Sequence, residues 1–213
     1  MIIALDGPAA AGKGTLARRL ASEFHLAHLD TGLLYRAVAA NLIELGIDPH
    51  DEDAAFEAAN TISQQVSFDY ELRDQDIGAA ASIVATQKRV RAELLSFQRR
   101  FAEAPPRPAR GAILDGRDIG SVVLPNADAK IFVTASKEER AERRYRELLA
   151  RGVPSIKSEV LQEIRERDER DCRRNLSPLV PVEGAFLLDT TRMSADSAFE
   201  AARLYVVQAL DAG

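Results

Sequence analysis

A single cysteine, Cys172, is all the thiol chemistry that the sequence of 213 residues contains. One cysteine excludes an intramolecular disulfide, and the lack of a Cys/His cluster argues against structural zinc. The three histidines, His25, His28 and His50, show no metal-ligand spacing to carboxylates or to one another. No apolar run approaches the length of a membrane span, so no membrane role is expected. The chain does not open on a basic segment followed by an apolar stretch, and a cytoplasmic location is the expectation. Basic excess is missing too. Lys and Arg total 28 against 33 Asp and Glu, a net charge of −5, which speaks against a nucleic-acid partner. Internal repeats and low-complexity linkers are absent. Hydrophobic content of 46% argues against disorder.

What the sequence does contain is short apolar runs alternating with longer periodic segments. Residues 2–6, 27–30, 112–115, 130–134 and 185–189 read as buried strands. Residues 13–24 carry Leu16, Leu20 and Phe24 on one helical face. Further helices are expected over 32–45, 53–63, 76–86, 89–102, 137–151, 156–174 and 194–210, the last with Ser194 as N-cap. Residues 66–73 alternate and suggest a strand or hairpin arm. Pro105, Pro106 and Pro108 force a loop. The alternation predicts one α/β domain over 1–213: a five-stranded, mainly parallel sheet flanked by helices. Ligands are then expected at the carboxyl ends of the strands.

The strongest local signal is Gly7-Pro8-Ala9-Ala10-Ala11-Gly12-Lys13-Gly14-Thr15, which follows a predicted strand and opens a predicted helix. Small residues let the backbone wrap a phosphate with its N–H groups pointing inward, and the helix N-terminus adds its dipole. Lys13 supplies a cation for the β- and γ-phosphates of ATP. Thr15 can turn its hydroxyl toward a magnesium ion. Gly14 stands where the hydroxyl residue of the general pattern follows the lysine. The motif predicts a P-loop NTPase fold. No Asn-Lys-x-Asp segment is present to read guanine, which sets aside the switch GTPases.

Two further clusters follow predicted strands. In Asp30-Thr31-Gly32-Leu33-Leu34-Tyr35-Arg36, Thr31 or Asp30 can cap the next helix. Arg36 could grip an acceptor phosphate and Tyr35 could pack on a sugar or base; a capped surface helix is the plainer alternative. Asp115-Gly116-Arg117-Asp118 ends a buried strand in charge, which points to a ligand there. Asp115 can assist the magnesium shell, Arg117 can bind the acceptor phosphate, and Asp118 can accept from an exocyclic amine. A local Asp–Arg ion pair in a turn is the alternative.

Residues 7–15, 30–36, 115–118 and 167–174, with Ser82, Arg91 and residues 130–133, resemble the bacterial cytidylate kinase family over nearly the whole chain. That resemblance implies ATP-dependent phosphorylation of CMP and dCMP. It implies Ser82, Arg91 and Asp118 on the cytosine, Tyr35, Arg167 and Asp171 on the ribose, and Arg36 and Arg117 on the phosphate, with Thr31 alongside. Residues 66–77 are short beside the strand-rich insertion that family members often carry. The division expected is a core (about 1–36, 110–136 and 175–213), an acceptor-binding lobe (about 37–109) and a helical lid (about 137–174). A monomer is expected. UMP, AMP or another small metabolite as acceptor, and a nucleotide switch without an acceptor, are the rival functions.

The segment 136–174 is rich in both arginine and acids. Pairs at i,i+4, namely Glu139–Arg143, Glu142–Arg146 and Glu166–Arg170, account for part of it. Arg167, Arg170 and Arg174 nevertheless share one face, as do Arg140, Arg143 and Arg144. Phosphoryl transfer needs charge neutralisation, so arginines that close over the phosphates are the expected catalytic groups. Lys13, Arg117, Arg170 and Arg174 take that role, with Arg140 and Arg144 on ATP.

Overall fold

The computed structural model describes residues 1–63, 75–173 and 177–211. The strand arm expected at 66–73 lies outside the described residues. Five parallel strands, β1 (Ile2–Asp6), β2 (Ala27–Asp30), β3 (Ala112–Gly116), β4 (Ala129–Thr134) and β5 (Phe186–Asp189), pair in the order β2-β3-β1-β4-β5. The run Ile-Ile-Ala-Leu-Asp of β1 is central because both its faces can be buried. Ile3 and Leu5 pack into one core and Ala4 into the other.

Helices α1 (Lys13–Phe24) and α8 (Ala195–Asp211) cover the face of Ile3 and Leu5. The opposite face carries α2 (Thr31–Glu44), α3 (Glu52–Ile62), α4 (Gln75–Val84) and α5 (Lys88–Glu103). In α5 the buried residues Val90, Leu94, Gln98 and Ala102 recur every fourth position, and charge fills most of the rest. Helices α6 (Lys137–Ala150) and α7 (Lys157–Arg173) form a hairpin with its own small core of Ala141, Leu148, Val160 and Ile164. Among the described residues no helix is long and apolar enough to cross a membrane.

Four helices start at side-chain caps. Asp30 accepts from the Gly32 amide at 3.1 Å, so α2 begins at Thr31, one residue earlier than the glycine suggested. Asp51 caps α3, Ser136 caps α6, and Ser194 caps α8 through the Ser197 amide at 3.0 Å. Each such cap contributes about 1 kcal/mol.

One element had no counterpart in the sequence pattern. A π turn over Ile119–Val123 follows β3. Its cause is Asp6, whose two carboxylate oxygens accept the Ile119 and Gly120 amides, both at 2.7 Å. Asp6 thereby ties the exit of β1 to the exit of β3. The carboxyl ends of the central strands align, with Asp6 opposite Gly116 and Asp30 opposite Asp115.

Gly7 turns the chain out of β1 at φ 146°, and a Cβ there would lie 1.9 Å from the Val133 carbonyl oxygen. Backbone cannot yield as a side chain does. Gly7→Ala is expected to lose about 2–4 kcal/mol of stability in urea unfolding. An unchanged midpoint would contradict this packing.

Candidate active site

The phosphate loop is a backbone structure first. Ala10 and Gly12 sit at φ 58° and 94°, so the peptide groups of the loop turn inward as a nest at the N-terminus of α1. The Ala11 carbonyl accepts from Thr190 Oγ1 at 3.2 Å, which holds the loop's outer side. Arg143 in turn donates to Thr190 Oγ1 at 3.0 Å and to its carbonyl at 2.7 Å.

Lys13 is buried, and its Nζ donates to the Pro8 carbonyl at 2.8 Å. Burial pulls its pKa from 10.5 down to about 7; Arg117 adds to the fall, and Asp115 and Asp30 oppose it. Asp115 is buried against the first turn of α1, where a Cβ on Gly14 would lie 3.6 Å from its Oδ2. Its Oδ1 stands 3.4 Å from His28 Nε2.

A cavity of about 610 Å³ joins the two halves of the site. Lys13 and Thr15 of the phosphate loop, Arg36 of α2, Asp115 near the end of β3 and Arg117 just after it all line it. From the hairpin side Arg144, Arg167 and Arg170 line it as well. The loop at residue 7 and the charged tetrad at 115 therefore open onto one crevice.

Arg167 has the least comfortable position. Burial, with Arg117 second, lowers its pKa to about 9, against the opposing effect of Asp171. Its Nε is buried with no hydrogen-bond partner. Arg117 donates through Nε to Asp171 Oδ2 at 2.8 Å, an ion pair that joins β3 to α7. Arg170 donates through Nε to Ser82 Oγ at 3.2 Å, so α7 also touches α4.

A second, smaller cavity of about 150 Å³ brings together Tyr35, Arg91 and Asp118. Arg91 pairs with Asp118 and lies over the Tyr35 ring at 5.8 Å. The local Asp–Arg pair within the 115–118 turn does not form, since Asp118 pairs with Arg91 and Arg117 with Asp171, each from a distant helix. Arg117 lines the larger cavity, and Arg91 and Asp118 line the smaller one.

Of the remaining predicted residues, some line the cavity and others support its walls. Thr31 is buried and donates to the Asp115 carbonyl at 2.9 Å, while Asp30 does the capping. Gly14 lines the large cavity beside Ala9, Ala10 and Gly12. Arg140 is buried, and its guanidinium forms a bidentate pair with Asp168 at 2.6 and 2.9 Å. Glu139–Arg143 and Glu142–Arg146 form as expected. The Glu166–Arg170 pairing is replaced, since Glu166 accepts from Gln162 and Arg170 turns inward to Ser82. Arg174 lies outside the described residues.

Sequence reasoning passed over Asp6, Asp168 and Thr190. Asp6 carried a usable signal, a carboxylate closing an apolar strand as Asp115 does. Burial raises its pKa to about 6 against the lowering effect of the Gly120 and Ile119 amides.

Sheet order, nested loop and two-sided cleft place the chain among the P-loop kinases. Residues 3–208 match the family model for cytidylate kinase. A cytidylate kinase of Paramagnetospirillum magneticum is 55% identical over 201 residues, covering 94% of this chain and 95% of that one. One from Xanthobacter autotrophicus is 54% identical over 213 residues, all of both chains. The chain belongs to the cytidylate kinase family. In fold alone it is similar to the crystal structure of an uncharacterized protein from Eubacterium ventriosum, with a TM-score of 0.56 at 15% identity, covering 97% of this chain and 98% of that one.

The depressed Lys13 pKa has a measurable consequence. A polyanion on the loop favours the charged amine, so ATP binding at pH 8 should take up a proton, up to about one per site. Calorimetry in two buffers of different ionisation enthalpy reads that uptake, and Lys13→Met should abolish it. The folded lysine releases its proton at lower pH than the unfolded one. The contribution of this lysine to stability should therefore rise as pH climbs from about 7 toward 10.5, and Lys13→Met should remove that contribution while turnover falls at least about 100-fold. A wild type that takes up no proton would contradict the assignment.

Proposed function

We propose that the protein transfers the γ-phosphoryl group of Mg·ATP to the phosphate of CMP, and of dCMP, in a direct in-line displacement. One observation carries this reading. The phosphate loop and the Arg36/Arg117 pair line the same cavity, with Arg144, Arg167 and Arg170 facing them from the hairpin. Two nucleotides meeting phosphate to phosphate need such an arrangement, because the transition state gathers negative charge between them.

ATP would lie with its β- and γ-phosphates on the amides of residues 7–15, with Lys13 and Arg144 as counter-charges. Arg36 and Arg117 would take the acceptor phosphate. Arg170, with Arg174, would stabilise the group in transit. Asp171, already paired to Arg117, and Arg167 and Tyr35 are suited to the ribose. The smaller cavity suits the base. Arg91 engages one oxygen of Asp118, and the other would accept from cytosine's exocyclic amine, while Arg91 and Ser82 donate to the ring nitrogen and carbonyl. Uracil would present a carbonyl to Asp118 instead, a buried mismatch worth about 1–3 kcal/mol.

Magnesium fits this donor set. Thr15 and Asp115 offer one hydroxyl and one carboxylate at the cavity wall, and no cluster of three or more potential metal ligands occurs among the described residues. Hard oxygen donors in such small number suit an ion that keeps most of its shell as phosphate and water. Bound there, it would neutralise charge on the transferring phosphates. A monomer acting in the cytoplasm, where nucleotide substrates are found, completes the reading.

Initial rates with CMP, dCMP, UMP and AMP at equal concentration, read as ADP release, test the proposal. CMP and dCMP should lead. Asp118→Asn, which exchanges an acceptor for an amide that can also donate, should lower kcat/KM for CMP about 100-fold and narrow the CMP-over-UMP preference at least about tenfold. Preference for AMP or for a non-nucleotide acceptor would refute the reading.

A further inference from the structure

We propose that Arg140 and Asp168 are positioning residues: their buried ion pair braces α7 against the phosphate loop and so aims Arg167 and Arg170 into the cleft, a role that presupposes the phosphoryl transfer proposed above. Helix α6 is charged along most of its length, yet Arg140 alone among its arginines is fully buried, at 3% exposure. Its guanidinium reaches three separate parts of the molecule. Nε donates to the Ala135 carbonyl at the end of β4, at 2.9 Å. Nη1 donates to the Ala9 carbonyl of the phosphate loop at 3.3 Å and to Asp168 Oδ1 at 2.9 Å. Nη2 donates to Asp168 Oδ2 at 2.6 Å. Four contacts from one planar fork fix strand end, loop and helix relative to one another.

Asp168 is placed to set the rotation of α7. At roughly 100° per residue, Arg167, Arg170 and Asp171 fall within one narrow face, and Asp168 lies on its flank. Arg167 and Arg170 line the cavity, and Asp171 pairs with Arg117. A bond held at the flank therefore fixes what the face points at. A second, apolar contact seats the hairpin on the same loop, where Ala10 packs against the core of Ala141, Leu148, Val160 and Ile164. The hairpin thus rests on the phosphate loop through the Ala10 methyl and the Ala9 carbonyl.

The same geometry argues that Arg140 acts through other residues and not on ATP. To reach a phosphate it would give up these bonds and leave Asp168, whose side chain is 13% exposed, without its cation. A carboxylate stranded in that position is costly. A brace that served stability alone is the rival, because a buried pair can be replaced by apolar residues with little loss.

Asp168→Asn and Arg140→Lys test the brace, with Tm as the check on folding. The expected result is a kcat lowered about 10- to 100-fold, with the KM for CMP within about threefold and the dissociation constant for ATP within about twofold of wild type. Arg140→Met/Asp168→Leu removes both charges together and should lose no more kcat than either single variant. A folded Asp168→Asn with wild-type kcat overturns the proposal. So does a tenfold weakening of ATP binding in Arg140→Lys that Asp168→Asn does not share, which would make Arg140 a direct ligand. If the single variants fail to fold, the double variant decides, and wild-type kcat in it overturns the brace. Arg170→Ala, assayed alongside, separates two failures. Full turnover in that variant removes the catalytic role of the hairpin, whereas loss there with normal turnover in Asp168→Asn removes only the brace.

Discussion

Lys13, Arg117 and Arg167 share one desolvated cleft and repel one another there. Burial lowers the pKa of both Lys13 and Arg167, and Arg117 pushes each further down. Asp115, Asp30 and Asp171 relieve only part of that strain. Cations crowded into one partly buried cleft, with their mutual repulsion only partly offset, are poised for a polyanion, and each contact there counts for more than it would at the open surface. The binding surface is thus a store of electrostatic tension, which two sets of phosphates arriving from opposite sides would discharge.

Holding those cations in place is the business of the surrounding carboxylates and backbone. Asp6 joins the exits of β1 and β3 by accepting two amides of the π turn, so the loop after residue 6 and the tetrad after residue 114 cannot drift apart independently. Thr31 adds a bond from the start of α2 to the Asp115 carbonyl. Asp171 and Asp168, three residues apart on α7, tie that helix to Arg117 and to Arg140. Each tether crosses between elements distant in sequence, and together they converge on the strand ends where parallel sheets present their ligands.

The sheet and its helices were legible from local pattern because strand and helix periodicities are local properties. β1, β2 and α1 fall where the sequence placed them, and the other ends shift by a residue or two where caps such as Asp30 decide. The phosphate loop was legible because its glycines and Lys13 are contiguous. The tethers were not. Arg140 and Asp168 lie 28 positions apart in helices full of equally plausible i,i+4 partners, and nothing in the local sequence marks which arginine turns inward. Burial, invisible to charge pattern, is what selects Arg140, and Arg170 reaches the buried Ser82 in place of Glu166.

The central claim is that donor and acceptor phosphates meet in one cleft, and a linked bisubstrate tests it most directly. Adenosine and cytidine joined through a pentaphosphate should bind with a stoichiometry of one per chain and displace both ATP and CMP in equilibrium titration. Displacement of only one nucleotide, or simultaneous binding of the conjugate with either, would contradict the shared cleft.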